Sequence, residues 1–137
     1  MAGYSGTPLA KKLGLKGPMT VVTIGAPADY ATWLGELPEG VMLTTRARKP
    51  VAAAHVFATR RAELAKSLAT LRKTLEPAGF VWISWPKKAS KVPTDITEDA
   101  IRDVCLPMGF VDVKVCAVTD VWSGLKLVIR KSERRQA

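Results

Sequence analysis

Apolar residues fall into short blocks along this chain, divided by breaks rich in glycine and proline. Met19 to Ile24 is apolar and β-branched apart from Thr20 and Thr23. A run of this kind without alternation predicts a strand covered on both faces. Val41 to Thr45, Val51 to Thr59 and Phe80 to Trp85 predict three more strands. Phe110 to Val118 alternates, with Val111, Val113, Val115 and Ala117 on one face. A turn at Asp120 to Gly124 then returns the chain as a sixth strand, Leu125 to Arg130. Between strands the period becomes helical. Thr7-Pro8 reads as N-cap and first helical position before Leu9, Ala10 and Leu13, with Gly14 as the stop. Ala28 to Leu37 sets Tyr30, Trp33, Leu34 and Leu37 at helical spacing. Arg60 to Glu76 carries a stripe of Leu64, Leu68, Leu71 and Leu75, closed by Pro77-Ala78-Gly79. Asp95 to Met108 predicts the last helix, with Asp95 and Glu98 at capping-box spacing and Gly109 at its end.

Strands alternating with helices, and ending in a hairpin, predict an α/β fold: an open, mostly parallel six-stranded sheet with helices on both faces and an antiparallel last strand. A chain of 137 residues suits one domain, here 1–131, followed by a charged tail, 132–137, expected to fray. With 47% apolar and 24% charged residues the composition excludes a disordered chain. No apolar run reaches the length of a membrane span, and Met1 to Lys12 lacks a signal-peptide core, so the expected compartment is the cytoplasm. Cys105 and Cys116 are expected as two buried thiols rather than a disulfide. Two cysteines and one histidine offer no metal-ligand spacing.

The succession resembles class I methyltransferases, whose Rossmann-like fold binds S-adenosylmethionine. The residues that carry the likeness are the Leu-striped helix running through Leu75-Glu76-Pro77-Ala78-Gly79 into Phe80-Val81-Trp82-Ile83-Ser84, the helix ending Met108-Gly109-Phe110, and the terminal hairpin. Against that fold, one strand and one helix are missing between Thr45 and Val51, and the resemblance implies a strand order of 2-1-3-4-6-5. Tyr4 to Gly14, Ser84 to Ser90 and Trp122 to Lys126 are also similar to a small bacterial family whose domain has no assigned function.

An S-adenosyl site needs a glycine-rich turn after the first strand and an acid at the end of the second. Here the turn is Ile24-Gly25-Ala26-Pro27-Ala28-Asp29, with one glycine and a proline that lacks an N–H. The second strand ends Thr44-Thr45-Arg46, without a carboxylate. After the third strand, Phe57-Ala58-Thr59-Arg60 lacks the Asp- or Asn-Pro-Pro loop that the resemblance to amino-methylating enzymes implies. The expectation is therefore a degenerate, non-catalytic domain with no cofactor. Asp29 is the one residue placed to substitute for the ribose acid, and its competing reading is a first-turn helix acid.

Charge sharpens this picture. The 21 cations exceed the 12 acids by 21 − 12, or +9. In open α/β sheets ligands bind beyond the carboxyl ends of the strands. The sequence assigns Arg46, Arg48 and Lys49, Arg60 and Arg61, and Lys87, Lys88 and Lys91 to that end, with helix N-termini near Arg61 and Asp95 adding positive potential. The candidate anion site is Arg46, Arg48, Arg60, Lys87, Lys88, Ser90 and Lys91, with Asp120 and Trp122 of the terminal turn on the same face. Trp122 has a second reading as a plug over the core edge, and Asp120 as a turn cap. The partner expected is an anionic small molecule or an acidic protein. Nucleic acid is the alternative, since no basic recognition helix or interleaved aromatic strand is visible. His55, mid-strand among apolar neighbours, reads as an interior hydrogen-bonded histidine. The two sheet edges are the places for a homodimer to form, with Asp112 and Lys114 on one face of the fifth strand as edge protection.

Overall fold

A computed structural model describes residues 8–134. It contains four α-helices and six strands, in the order α1 Leu9–Lys12, β1 Met19–Ile24, α2 Tyr30–Leu34, β2 Val41–Thr44, β3 Val51–Phe57, α3 Arg61–Thr74, β4 Leu75–Ser84, α4 Glu98–Cys105, β5 Phe110–Ala117 and β6 Ser123–Ile129. One-turn 3-10 helices follow at Lys88–Ser90, Leu106–Met108 and Lys131–Glu133. The sheet order is β2-β1-β3-β4-β6-β5, as the resemblance implies. β1 pairs in parallel with β2 and β3, β3 with β4, and β6 runs antiparallel between β4 and β5.

Two apolar layers clamp the sheet. On one face Leu64, Leu68 and Leu71 of α3 and Ile101 and Cys105 of α4 pack on Ala54, Val56, Val81, Ile83, Leu125 and Leu127. On the other, Leu9 of α1, Leu13 at its C-terminal cap, and Tyr30 and Leu34 of α2 pack on Val21, Ala53, Phe57 and Trp82. Trp82 Nε1 donates to the Leu13 carbonyl at 2.8 Å, so the indole is both packed and satisfied.

Several boundaries differ from expectation. α2 is five residues long because Gly35, at φ 72°, ends it. α3 stops at Thr74, and the chain is extended from Leu75 onward. Pro77 to Gly79 is absorbed as an irregularity, since Val51 pairs Leu75 while Ala53 pairs Phe80. α4 starts at Glu98, capped by the Thr97 hydroxyl accepting from Ala100 N at 3.0 Å, so Asp95 is not its cap. Thr7 lies outside the described residues, and Pro8 stands just before α1 at ψ 141°, outside the helix. The tail is anchored at its start: Glu133 accepts from Arg72 at 3.3 Å and from Arg130 at 3.0 Å.

β5 carries a bulge that alternation along the sequence does not reveal. Asp112 pairs Leu127, whereas Lys114 pairs Lys126, so Val113 is inserted between them. Asp112 therefore shares the α4 face and accepts from Arg102 Nε at 3.2 Å. Lys114 takes the opposite face, so the two are not neighbours on one face as expected.

Candidate functional site

The switch point of this sheet lies between β1 and β3, where connections leave in opposite directions, and a ligand crevice is expected beyond their carboxyl ends. Gly25 and Phe57 hold that position. Gly25 has φ 69°, and a Cβ on it would lie 2.5 Å from the Phe57 carbonyl oxygen. Phe57 sits in an aromatic cluster, with ring centroids 5.3 Å from Tyr30, 6.3 Å from Trp33 and 5.1 Å from Trp122. Side chains that follow β1, end β3 and precede β6 thus pack together on the α2 side of this position, while on the α3 side a groove of about 380 Å³ stays open between Ile24, Gly25 and Ala58 and the α3 residues Glu63 and Ser67. Trp122 takes the plug role, half-buried with its ring edge-on to Phe57.

Beneath the plug lies a buried polar chain. His55 stacks on Phe57 at 4.3 Å, and its Nδ1 is 2.8 Å from the Tyr30 hydroxyl. Its Nε2 is 2.7 Å from Ser84 Oγ. Burial pushes His55 down to about 3 and pushes the Tyr30 hydroxyl up. His55 is thus neutral, one ring nitrogen donating and the other accepting. All three residues are almost fully buried, which suits a structural network rather than acid–base work on a ligand. Sequence reading placed His55 inside but could not supply partners 25 and 29 positions away.

The cations do not form one site. Thr45 to Pro50 joins two parallel strands, so it runs back along the sheet, with Ala47 packed on the core. Arg46 and Arg48 line a groove of about 370 Å³ with Thr20, Thr44 and Val51. Lys49 does not belong to the carboxyl end: it lines a groove with Arg72, Thr74 and Glu76 near the close of α3. Lys87, Lys88 and Lys91 line a third groove of about 810 Å³, below Trp85 and beside Thr97. Its acids, Glu98 and Asp99, are both held by Arg102, at 3.0 and 3.2 Å. Arg60 is exposed just before α3 and lines neither groove. Ser90 turns inward, donating to the Lys87 carbonyl at 2.6 Å and accepting from Val92 N at 3.2 Å.

The α3 N-terminus is not open to a ligand, because Asp95 Oδ1 accepts from Arg61 N at 2.6 Å. The protein's own carboxylate fills the place assigned to an anion. Asp120 is exposed, and the terminal turn is capped by Thr119 instead, whose hydroxyl accepts from Val121 N and Trp122 N at 3.0 Å each. Asp29 is exposed at the start of α2 and makes no side-chain cap. Cys105 and Cys116 are free thiols, but only Cys105 is buried as expected; Cys116 is half-buried, and burial pushes Cys105 up to about 11. Among the described residues no cluster of His, Cys, Asp and Glu suits a metal, and no helix is long and apolar enough to cross a membrane.

No protein-family model matches the sequence, and no curated protein matches it. Solved structures do match. A Sulfolobus solfataricus protein described as a type 11 methyltransferase aligns over 93% of both chains, with TM-score 0.67 and 14% identity. An S-adenosylmethionine-dependent methyltransferase from Aquifex aeolicus aligns over 88% of this chain and 87% of its own, with TM-score 0.62 and 20% identity. Fibrillarin from Aeropyrum pernix, solved with natively bound S-adenosyl-L-methionine, covers 88% and 73% at TM-score 0.58 and 12% identity. At such identities the likeness is one of fold. The chain has a methyltransferase-like α/β fold.

Proposed function

We propose that this is a non-catalytic, methyltransferase-like binding domain that has lost S-adenosylmethionine and takes an anionic small ligand or an acidic partner at the Lys87–Lys91 groove. Its likeness to a bacterial family without assigned function belongs to the same proposal. The observation that carries the reading is the make-up of the switch point, a β1 turn with one glycine and a proline beside a β2 end without an acid. A cofactor there needs backbone approach from the β1 turn and an acid from β2. Instead Gly25 is pressed against the Phe57 carbonyl, the turn continues through Pro27, which has no N–H to offer, and β2 ends in Thr44 followed by Thr45 and Arg46. The residues present do not fit the cofactor, and no methyl-transfer step is derived. The groove supports the other half: Lys87, Lys88 and Lys91 line it and make no ion pair among the described residues. Its volume of about 810 Å³ is within the range of small-ligand sites.

Calorimetric titration with S-adenosylmethionine tests the first half, and no saturable heat is expected. Stoichiometric binding tighter than about 100 μM, roughly −5.5 kcal/mol, overturns it. A melting-temperature panel of nucleotides, nucleotide sugars, phosphates and acidic metabolites tests the second. At least one anion should raise the melting temperature of the intact chain, and Lys87→Ala with Lys88→Ala should abolish the rise. A panel without effect overturns the anion site.

A further inference from the structure

A second lysine cluster lies on the α1 face, away from the grooves of Arg46, Arg48 and Lys87, and it begins with the β5 bulge. By turning Lys114 to this face, the bulge sets it directly opposite Lys126. Like charges directly opposed across a ladder are destabilising. Lys126 is also half-buried, with Nζ 4.5 Å from the centroid of the Phe80 ring, and burial together with Lys114 lowers its pKa. Lys12 reaches the same face and donates to the Ala117 carbonyl at 3.2 Å. No carboxylate pairs with Lys114 or Lys126 among the described residues. An unneutralised, partly desolvated cation pair of this kind is stabilised by an external anion.

Lys126 stands at the wall of a groove of about 870 Å³, on the side of the sheet where β1 begins. Leu15, Met19, Leu37 and Phe80 give it an apolar lining, and Lys11 and Lys16 stand at its exposed rim. Glu36 and Glu39, on the loop after α2, also line it and repel a second negative charge at their end. Such a volume suits a small organic ligand, and its apolar lining favours more than a bare inorganic ion.

We propose that this groove binds an anion charged at one end and apolar along its body, an aryl or medium-chain acyl carboxylate or sulfonate, with its head on Lys126 and its body over Phe80 and Leu37. The site shares no residue with the Lys87–Lys91 groove and stands or falls separately from it.

Fluorescence titration of the intact chain with 1-anilinonaphthalene-8-sulfonate tests this, with octanoate, benzoate and inorganic phosphate as competitors. The dye should bind saturably at one site and be displaced by octanoate or benzoate, but not by phosphate. Lys126→Met should weaken it about tenfold, the loss of one charge-assisted contact, and Lys126→Arg should restore it. Lys11→Gln with Lys16→Gln, both exposed, should weaken it without altering the melt. Lys87→Ala with Lys88→Ala should leave it unchanged. The proposal is overturned by non-saturable dye binding, by displacement with phosphate as effective as with octanoate, or by Lys126→Met and Lys11→Gln/Lys16→Gln variants that bind like the parent.

Discussion

The hydrogen-bonded chain Tyr30–His55–Ser84 links α2, β3 and β4 through one ring whose two nitrogens are both engaged. Removing one partner leaves a buried polar atom without a bond, which costs about 1–3 kcal/mol. Tyr30→Phe is therefore expected to lower unfolding stability by that amount in urea titration, with the fold unchanged by circular dichroism. The same ring makes stability depend on pH. The folded pKa, about 3, lies below the ordinary value of 6.5, so the unfolded chain takes up the proton first. Stability from this group is intact above about pH 6.5 and falls as pH drops toward 3, at about 1.4 kcal/mol per unit. Carboxylates add slopes of their own at low pH, so the difference between parent and His55→Gln is the informative quantity. Between pH 6 and 4.5 the parent should lose about 2 kcal/mol more stability than the variant, and parallel curves would refute the buried neutral histidine. His55 itself was legible, because apolar residues flank it on its strand. Tyr30 and Ser84 were not, because pairing over such separations is set by tertiary packing.

Strand count was legible at the element scale because each strand is an apolar run, whereas the order of the strands followed from the resemblance. Local hydrogen bonds that cross between elements were not. Asp95 and Glu98 have the spacing of a capping box, yet Asp95 serves α3 and Thr97 serves α4. The chain before α4 runs beside β3's end, where Thr94 Oγ1 donates to the Thr59 carbonyl at 2.7 Å, and this contact delivers Asp95 to the Arg61 amide. Asp95→Ala should cost about 0.5–2 kcal/mol as a lost N-cap, and Asp95→Asn much less, by thermal or urea melts. If the two variants prove equal, the cap is not what Asp95 contributes. The β1 turn makes a stronger demand. Ala at position 25 would have to adopt φ near 69° and place its Cβ 2.5 Å from the Phe57 oxygen. Left-handed backbone alone costs roughly 1–2 kcal/mol and the collision adds to it, so Gly25→Ala should destabilise by more than about 2 kcal/mol. The glycine was visible as part of a cofactor turn, but its packing role follows from how closely β3 approaches it. The bulge at Val113 was invisible, since alternation of valines through 111, 113 and 115 reads as one uninterrupted strand.

Across the whole molecule, a charge of +9 suggests a strong field, but its placement weakens that inference. Mapping cations by strand order put eight of them at the carboxyl end. In the fold, Lys49 leaves that end, Arg46 and Arg48 line a groove apart from Lys87 to Lys91, and Lys11, Lys16, Lys114 and Lys126 gather on the α1 face. The connection from Thr45 to Pro50 is the cause, because without a helix it runs the length of the sheet and carries its charges with it. Arg46 and Arg48 line one groove and Lys87, Lys88 and Lys91 another, so they are separate candidate contacts for a duplex. Each phosphate neutralised contributes about −0.9 to the slope of log affinity against log salt. Engaging only the three lysines of the β4 loop would give a slope of about −3, and engaging both ends at once would give a much steeper one. We expect random duplex to bind more weakly than about 100 μM at physiological salt, with a slope no steeper than −3 in a fluorescence-anisotropy series. A slope near −6 or beyond would mean that the separated cations act together on one strand path, and would favour nucleic acid over a small anion as the partner.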